Sequence, residues 1–133
     1  MLIPTIHFPS NCDEAIAFYK EILGATVKEV CYAKDAPPDS GMDKMPPNSV
    51  MYSELVLFGT SVSMTDCGRA PVTHDHFSFM ISFDSDEETT AVFNKIADGG
   101  KVLEALAPQF WSPLYGFVQD KFGVGWQVMT SEK

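Results

Sequence analysis

The chain has 133 residues, 45% of them hydrophobic, with ten Phe, four Tyr and two Trp; that is enough apolar surface for one compact domain and too much for an intrinsically disordered chain. Eighteen acidic against nine basic side chains leave a net charge of −9, which argues against nucleic-acid and membrane-surface partners. Cys12, Cys31 and Cys67 are odd in number and form no C-x-x-C pair, so neither a disulfide framework nor a structural zinc site is expected, and a reduced, cytoplasmic setting suits them. No apolar run approaches a membrane span, and no basic segment followed by an apolar one marks a secretory signal.

In chain order, residues 2–8 are apolar enough for a first strand, ended by Pro9-Ser10-Asn11. Asn11 with Glu14 three residues on resembles a capping box, and Ala15, Ile16, Phe18, Tyr19, Ile22 and Leu23 recur at helical spacing before Gly24 stops the helix. Residues 25–31 read as a second strand. Residues 34–48, with Pro37-Pro38, Gly41 and Pro46-Pro47, cannot continue a ladder; they are either a flap over a cavity mouth or a surface loop. Strands at 50–58 and 60–65, hinged at Gly59, complete the first half.

After a polar connector at 67–75 the same order returns. Residues 77–83 form a strand, Ser85 caps a helix with Glu88 three residues later, and Val92, Phe93, Ile96 and Ala97 make its apolar stripe. Gly99-Gly100 ends it. Strands at 101–106, 114–119 and 125–130 follow. Each half therefore reads β-α-β-β-β, giving modules 1–66 and 76–130 within a single domain spanning 1–133.

The fold class is α+β: two paired βαβββ modules whose curved mixed sheets surround a cavity, with the helices outside. Alternation puts Phe77, Phe79, Ile81 and Phe83 toward a helix and His76, Ser78, Met80 and Ser82 toward the cavity. Phe79 and Phe93 should then be buried between sheet and helix. On the third strand Tyr52 and Glu54 share a face. A Glu54 buried among Tyr52, Phe110 and Trp111 would titrate high and serve as a general base, whereas a wet Glu54 is only a strand carboxylate. His76, at a strand end, suits proton transfer near neutrality. Trp111 and Tyr115 form a candidate aromatic wall.

Taken together, the run from Asn11 to Lys20, then Leu23-Gly24-Ala25, Val50-Met51 ahead of Glu54, Ser63-Met64-Thr65-Asp66, the Gly99-Gly100-Lys101-Val102 corner, Phe110-Trp111, Tyr115-Gly116 and the closing 120–126 segment resemble the vicinal oxygen chelate superfamily. This is the glyoxalase, bleomycin-resistance protein and dioxygenase group. More narrowly, the likeness is to its PhnB-like branch, which also carries the label 3-demethylubiquinone methyltransferase-like domain. The resemblance implies the paired βαβββ fold, a homodimer and, in catalytic members, a divalent ion held by inward His and Glu side chains from both modules.

Carried over position by position, those ligands fall on Pro4, on Tyr52 or Glu54, on Ser78 with His76 two residues earlier, and on Gln127. Proline offers no donor and glutamine no charge, so no tight metal site is assigned. His7 should alternate away from the Pro4 face. No dinucleotide loop, phosphate-binding loop or nucleophile elbow is present, and no glycine-rich strand-to-helix turn offers a nest for a methyl-donor cofactor.

The expected function is a small-molecule pocket lined by Tyr52, Glu54, His76, Ser78, Trp111, Tyr115 and Gln127, without a tight catalytic metal. Glu54 and His76 are the candidate catalytic pair. One alternative is a divalent-metal-dependent lyase, isomerase or oxygenase. Another is a non-catalytic dimeric interaction module.

Overall fold

The computed structural model describes residues 1–41, 44–69 and 77–132. His74, the candidate His76 and most of the 67–75 connector lie outside the described residues. The chain divides into two compact units, Met1–Val72 and Thr73–Lys133.

The first unit runs β1 (Thr5–Phe8), α1 (Cys12–Leu23), β2 (Thr26–Tyr32), β3 (Val50–Leu57) and β4 (Thr60–Asp66); the second runs β5 (Phe79–Phe83), α2 (Asp86–Ala97), β6 (Lys101–Gln109), β7 (Ser112–Gln119) and β8 (Gly125–Thr130). The duplicated order expected from the sequence is present. Each unit has one mixed four-stranded sheet, ordered β1-β4-β3-β2 and β5-β8-β7-β6. In both, the opening strand lies parallel to the closing one, and the remaining pairs are antiparallel. The fold is α+β.

Helix α1 buries Cys12, Ala15, Ile16, Phe18, Tyr19 and Leu23 and stops at Gly24, whose φ of 65° is left-handed and whose N–H reaches back toward the last turn. Its start departs from expectation. Asn11 occupies the N-cap position but makes no side-chain cap bond, and its Oδ1 is buried without a partner. The work is done from β4 instead: Asp66 Oδ1 accepts from the Cys12 N–H and Oδ2 from the Val50 N–H, both at 2.9 Å. A carboxylate at a helix N-terminus also meets the positive end of the helix dipole. In α2 the expected cap forms. Ser85 Oγ accepts from the Glu88 N–H at 3.2 Å, and the same hydroxyl lies 3.4 Å from Glu88 Oε1.

The core of the second unit contains Ile81, Phe93, Ile96, Val118, Trp126 and Val128, all buried. Gly116 allows α2 to settle on the sheet, because a Cβ there would lie 2.6 Å from Phe93 Cε2. The expected facing of β5 holds for Ile81, which is buried, while Phe79 is only half-buried and Phe77 precedes the strand at 66% exposure. The reason is position: among the described residues β5 is an edge strand of its sheet, paired with β8. Phe79 stacks on Trp126, centroids 4.9 Å apart, and Phe77 leans edge-on against Phe79.

Strands β6 and β7 extend further toward each other than expected, so that Phe110-Trp111 becomes the tip of a hairpin. Pro108 is accommodated because β6 is also an edge. The 34–48 segment is pinned at its root, where Ala33 and Lys34 N–H groups donate to Ser49 and Pro47 carbonyls at 2.9 and 3.0 Å. A shallow cavity of about 300 Å³ lies there, lined by Ala33, Lys34, Ala36, Pro38, Met45 and Pro47. No helix among the described residues is long and apolar enough to cross a membrane.

Candidate functional site

Four of the predicted site residues come together on one sheet face of the second unit. Gly116 abuts α2, so its ladder partner Val128 faces the helix too, and the neighbours Tyr115, Phe117, Gln127 and Met129 take the opposite face through the pairs Tyr115↔Met129 and Phe117↔Gln127. Ser78 reaches this face from the start of β5. Tyr115 Oη donates to Gln127 Oε1 at 2.7 Å, and Gln127 Nε2 donates to Ser78 Oγ at 3.0 Å. Behind Tyr115 the rings continue edge-to-face: Trp111 stands 5.2 Å from Tyr115, and Phe110 4.8 Å from Trp111. The gradient of exposure is steep, from Tyr115 at 6% through Trp111 at 38% to Phe110 at 91%. A buried phenol therefore anchors a wall of rings whose outer members face solvent.

Burial pushes the Tyr115 phenol above the ordinary tyrosine range, with the Glu104 carboxylate adding to the shift. Tyr115 is thereby kept as a hydrogen-bond donor at neutral and mildly alkaline pH. Gln127 spends one end of its amide on Tyr115 and the other on Ser78, so a residue that looks like a neutralised ligand is the middle link of a relay.

The other predicted residues, Tyr52 and Glu54, stand on β3 of the first unit. Tyr52 is 41% exposed. Glu54 is half-buried and accepts from Ser61 Oγ at 3.1 Å. Its ladder partners are Ser63 and Glu29, and Ser63 in turn pairs with Thr5. Glu54 thus shares its face with a second carboxylate, which opposes rather than assists further negative charge. The same register bears on the first strand. Pro4 alternates with Ile6 and Phe8, whereas Thr5 and His7 take the Glu54 side, His7 Nδ1 being hydrogen-bonded to Thr65 Oγ1 at 3.0 Å. Pro4 and Glu54 do not share a face.

His7 alternates away from Pro4 as expected, whereas Ser61 and Glu29 were not singled out by sequence reasoning. The pairing of Glu29 with Glu54 depends on a bulge between Val27 and Glu29, for which the sequence carries no glycine signal. Among the described residues no three His, Cys, Asp or Glu side chains gather as a metal ion requires. The donors among the described residues do not fit a divalent ion.

The chain was then compared with known proteins. The pattern of the family described as 3-demethylubiquinone-9 3-methyltransferase matches residues 1–129. This chain belongs to that family. Protein YjdN of Escherichia coli (strain K12) is 30% identical over 142 residues, covering 96% of this chain and 92% of YjdN. The crystal structure of protein PA1353 from Pseudomonas aeruginosa superposes with a TM-score of 0.84 at 28% identity, covering 100% of this chain and 98% of that one.

More distantly, the fold is shared with the fosfomycin resistance protein FosX from Listeria monocytogenes. A mutant of that FosX, complexed with Mn(II) and 1S,2S-dihydroxypropylphosphonic acid, gives a TM-score of 0.69 at 12% identity, covering 97% of this chain and 90% of FosX. That likeness speaks to fold and leaves the chemistry of this chain to its own side chains.

Proposed function

We propose that this family member is a small-molecule-binding protein on the glyoxalase/bleomycin resistance/dioxygenase scaffold of the vicinal oxygen chelate superfamily, working without a tightly held catalytic metal. The observation that carries the reading is the relay Tyr115–Gln127–Ser78 beside the Trp111 and Phe110 rings. A few oriented polar groups next to an aromatic wall are what a site for a modest, partly apolar ligand needs. Tyr52 and Glu54 of the first unit, and His76, are proposed as ligand contacts in their own right, with Glu54 or His76 as the proton carrier if turnover occurs. The proposed assembly is a single-domain cytoplasmic homodimer.

Methyl transfer, the activity in the family's description, is not part of the proposal. The β1–α1 turn (Pro9-Ser10-Asn11) and the β5–α2 turn (Asp84-Ser85) contain no glycine, and so offer no close backbone approach for a cofactor. The metal-dependent reading is favoured only by the manganese complex of FosX. Isothermal calorimetry of the full chain with zinc, nickel, manganese and iron(II) tests it, and no binding tighter than micromolar is expected. Tight binding that disappears in both Glu54→Ala and His76→Ala would replace this reading with a metalloenzyme. For the pocket itself, titration with planar ring compounds should quench tryptophan emission in the native protein and not in Trp111→Ala.

A further inference from the structure

The connection between β2 and β3 is built around a cavity of its own. Ala33–Asp35 make one tight helical turn directly after β2, and Pro37, Pro38, Pro46 and Pro47 fix φ on both limbs of the segment. Backbone bonds close it on itself. Besides the pins at Ala33 and Lys34, the Ser49 N–H donates to the Pro46 carbonyl at 2.9 Å and the Ser40 N–H to the Pro37 carbonyl at 3.0 Å. Met45 is seated against Gly68, where a Cβ would lie 3.1 Å from Met45 Cε. The cavity of about 300 Å³ is therefore already shaped, and a ligand entering it has little left to order.

Its lining is apolar except at one point. Ala33, Ala36, Pro38, Met45 and Pro47 supply small or flexible hydrocarbon surface without an aromatic ring, and Lys34 supplies the single charge. Asp35 and Asp39, on the same segment, are exposed and outside the lining. The Lys34 ammonium rests 5.5 Å from the centroid of the Tyr32 ring. That ring is itself held, Tyr32 Oη donating to Asp13 Oδ1 at 2.8 Å. Contact with a ring face leaves the ammonium N–H groups available to donate, and among the described residues no carboxylate pairs with them.

We infer that this cavity binds an aliphatic carboxylate of modest length: the hydrocarbon lies along Ala36, Pro38, Met45 and Pro47, and Lys34 gives the head group a charge-assisted hydrogen bond. Volume sets the length, since 300 Å³ holds about ten non-hydrogen atoms at the roughly 30 Å³ that a water molecule takes in the liquid. Charge sets the head: a cation meets Lys34 as a like charge, and a neutral group gains nothing from it. The site belongs to the first unit and does not depend on the ring-binding reading above.

Hexanoate, 1-hexanol and hexylammonium share one chain and differ in head charge. Each is titrated into the full chain labelled with ¹³C at the methionine methyls, and binding is read from Met45. The Trp126 indole N–H, held by Asp120 Oδ2 at 2.9 Å, checks that each variant is folded, and the Trp111 indole reports ligand taken up elsewhere. Hexanoate should bind about fivefold more tightly than hexanol, the worth of an exposed ion pair at the upper end of its range, and hexylammonium most weakly. Lys34→Gln should bring hexanoate to the level of hexanol and leave hexanol unchanged. Ala36→Leu, which fills the cavity, should weaken both.

Hexanol or hexylammonium binding as tightly as hexanoate, or hexanoate indifferent to Lys34→Gln, would overturn the carboxylate assignment. A Met45 methyl that none of the three moves, or shifts confined to Trp111, would remove the site altogether. Quenching of Trp111 by planar ring compounds is unaffected by either result.

Discussion

A methyl group is enough to test the packing at Gly116. Adding one would drive a carbon into Phe93 and against Leu106, so Gly116→Ala should lower stability by about 1–3 kcal/mol in denaturant melts. Titration offers a second test. Burial, the largest effect, and the nearby Asp66 and Asp13 carboxylates push the Cys12 thiol up, and burial does the same to Tyr115. Groups whose folded pKa exceeds the unfolded one contribute stability that is complete below the unfolded pKa and lost as pH rises toward the folded value. The thermal midpoint should therefore hold up to about pH 8 and fall above it, first as unfolded thiols ionise and then unfolded phenols. A disulfide-type thiol reagent should modify half-exposed Cys31 and Cys67 in the native protein and reach buried Cys12 only on unfolding. At this scale the sequence was readable where a residue acts on its own neighbours. Ser85 caps its helix as expected, and Gly24 stops one. Asn11 was misleading because the acceptor that displaces it, Asp66, comes from 54 positions away, and no local pattern reports a partner at that distance.

Asp66 ties the start of α1 to the start of β3, so its effect is felt by whole elements. Asp66→Ala would leave two buried N–H groups without acceptors and should cost about 2–5 kcal/mol, each orphan contributing a typical desolvation penalty. Asp66→Asn, which retains one acceptor, should recover part of that in the same melts. Phe93→Ala should cost about 3–5 kcal/mol, as truncation of a fully packed ring does, and Phe79→Ala less, because its ring is partly wet at the sheet edge. Strand existence was legible from apolar alternation and from glycines at the hinges. Strand ends were not: Pro108 and Pro113 fall outside the strands that the sequence suggests, and the placement of β6 at an edge explains how Pro108 fits. The candidate site divides the same way. Ser78 could be named from alternation, Trp111 and Tyr115 from residue type and Gln127 from the family resemblance, but that Tyr115, Gln127 and Ser78 form one relay depends on strand register, which sequence spacing does not specify.

For the whole molecule the dominant quantity is charge. With a net charge of −9, self-repulsion opposes the compact state, and raising the ionic strength from very low values should raise the thermal midpoint measurably. The two units repeat one connectivity, and the repeat has a bearing on synthesis. In each, the closing strand lies between the opening strand and the hairpin that precedes it: β4 between β1 and β3, β8 between β5 and β7. Until that strand emerges from the ribosome, the opening strand has nothing to hydrogen-bond to and its helix has only part of a floor. The first half is complete once Asp66 has been made, while the second must wait for Thr130, leaving α2 and β5 exposed to chaperones and proteases for nearly the entire time their half of the chain is translated.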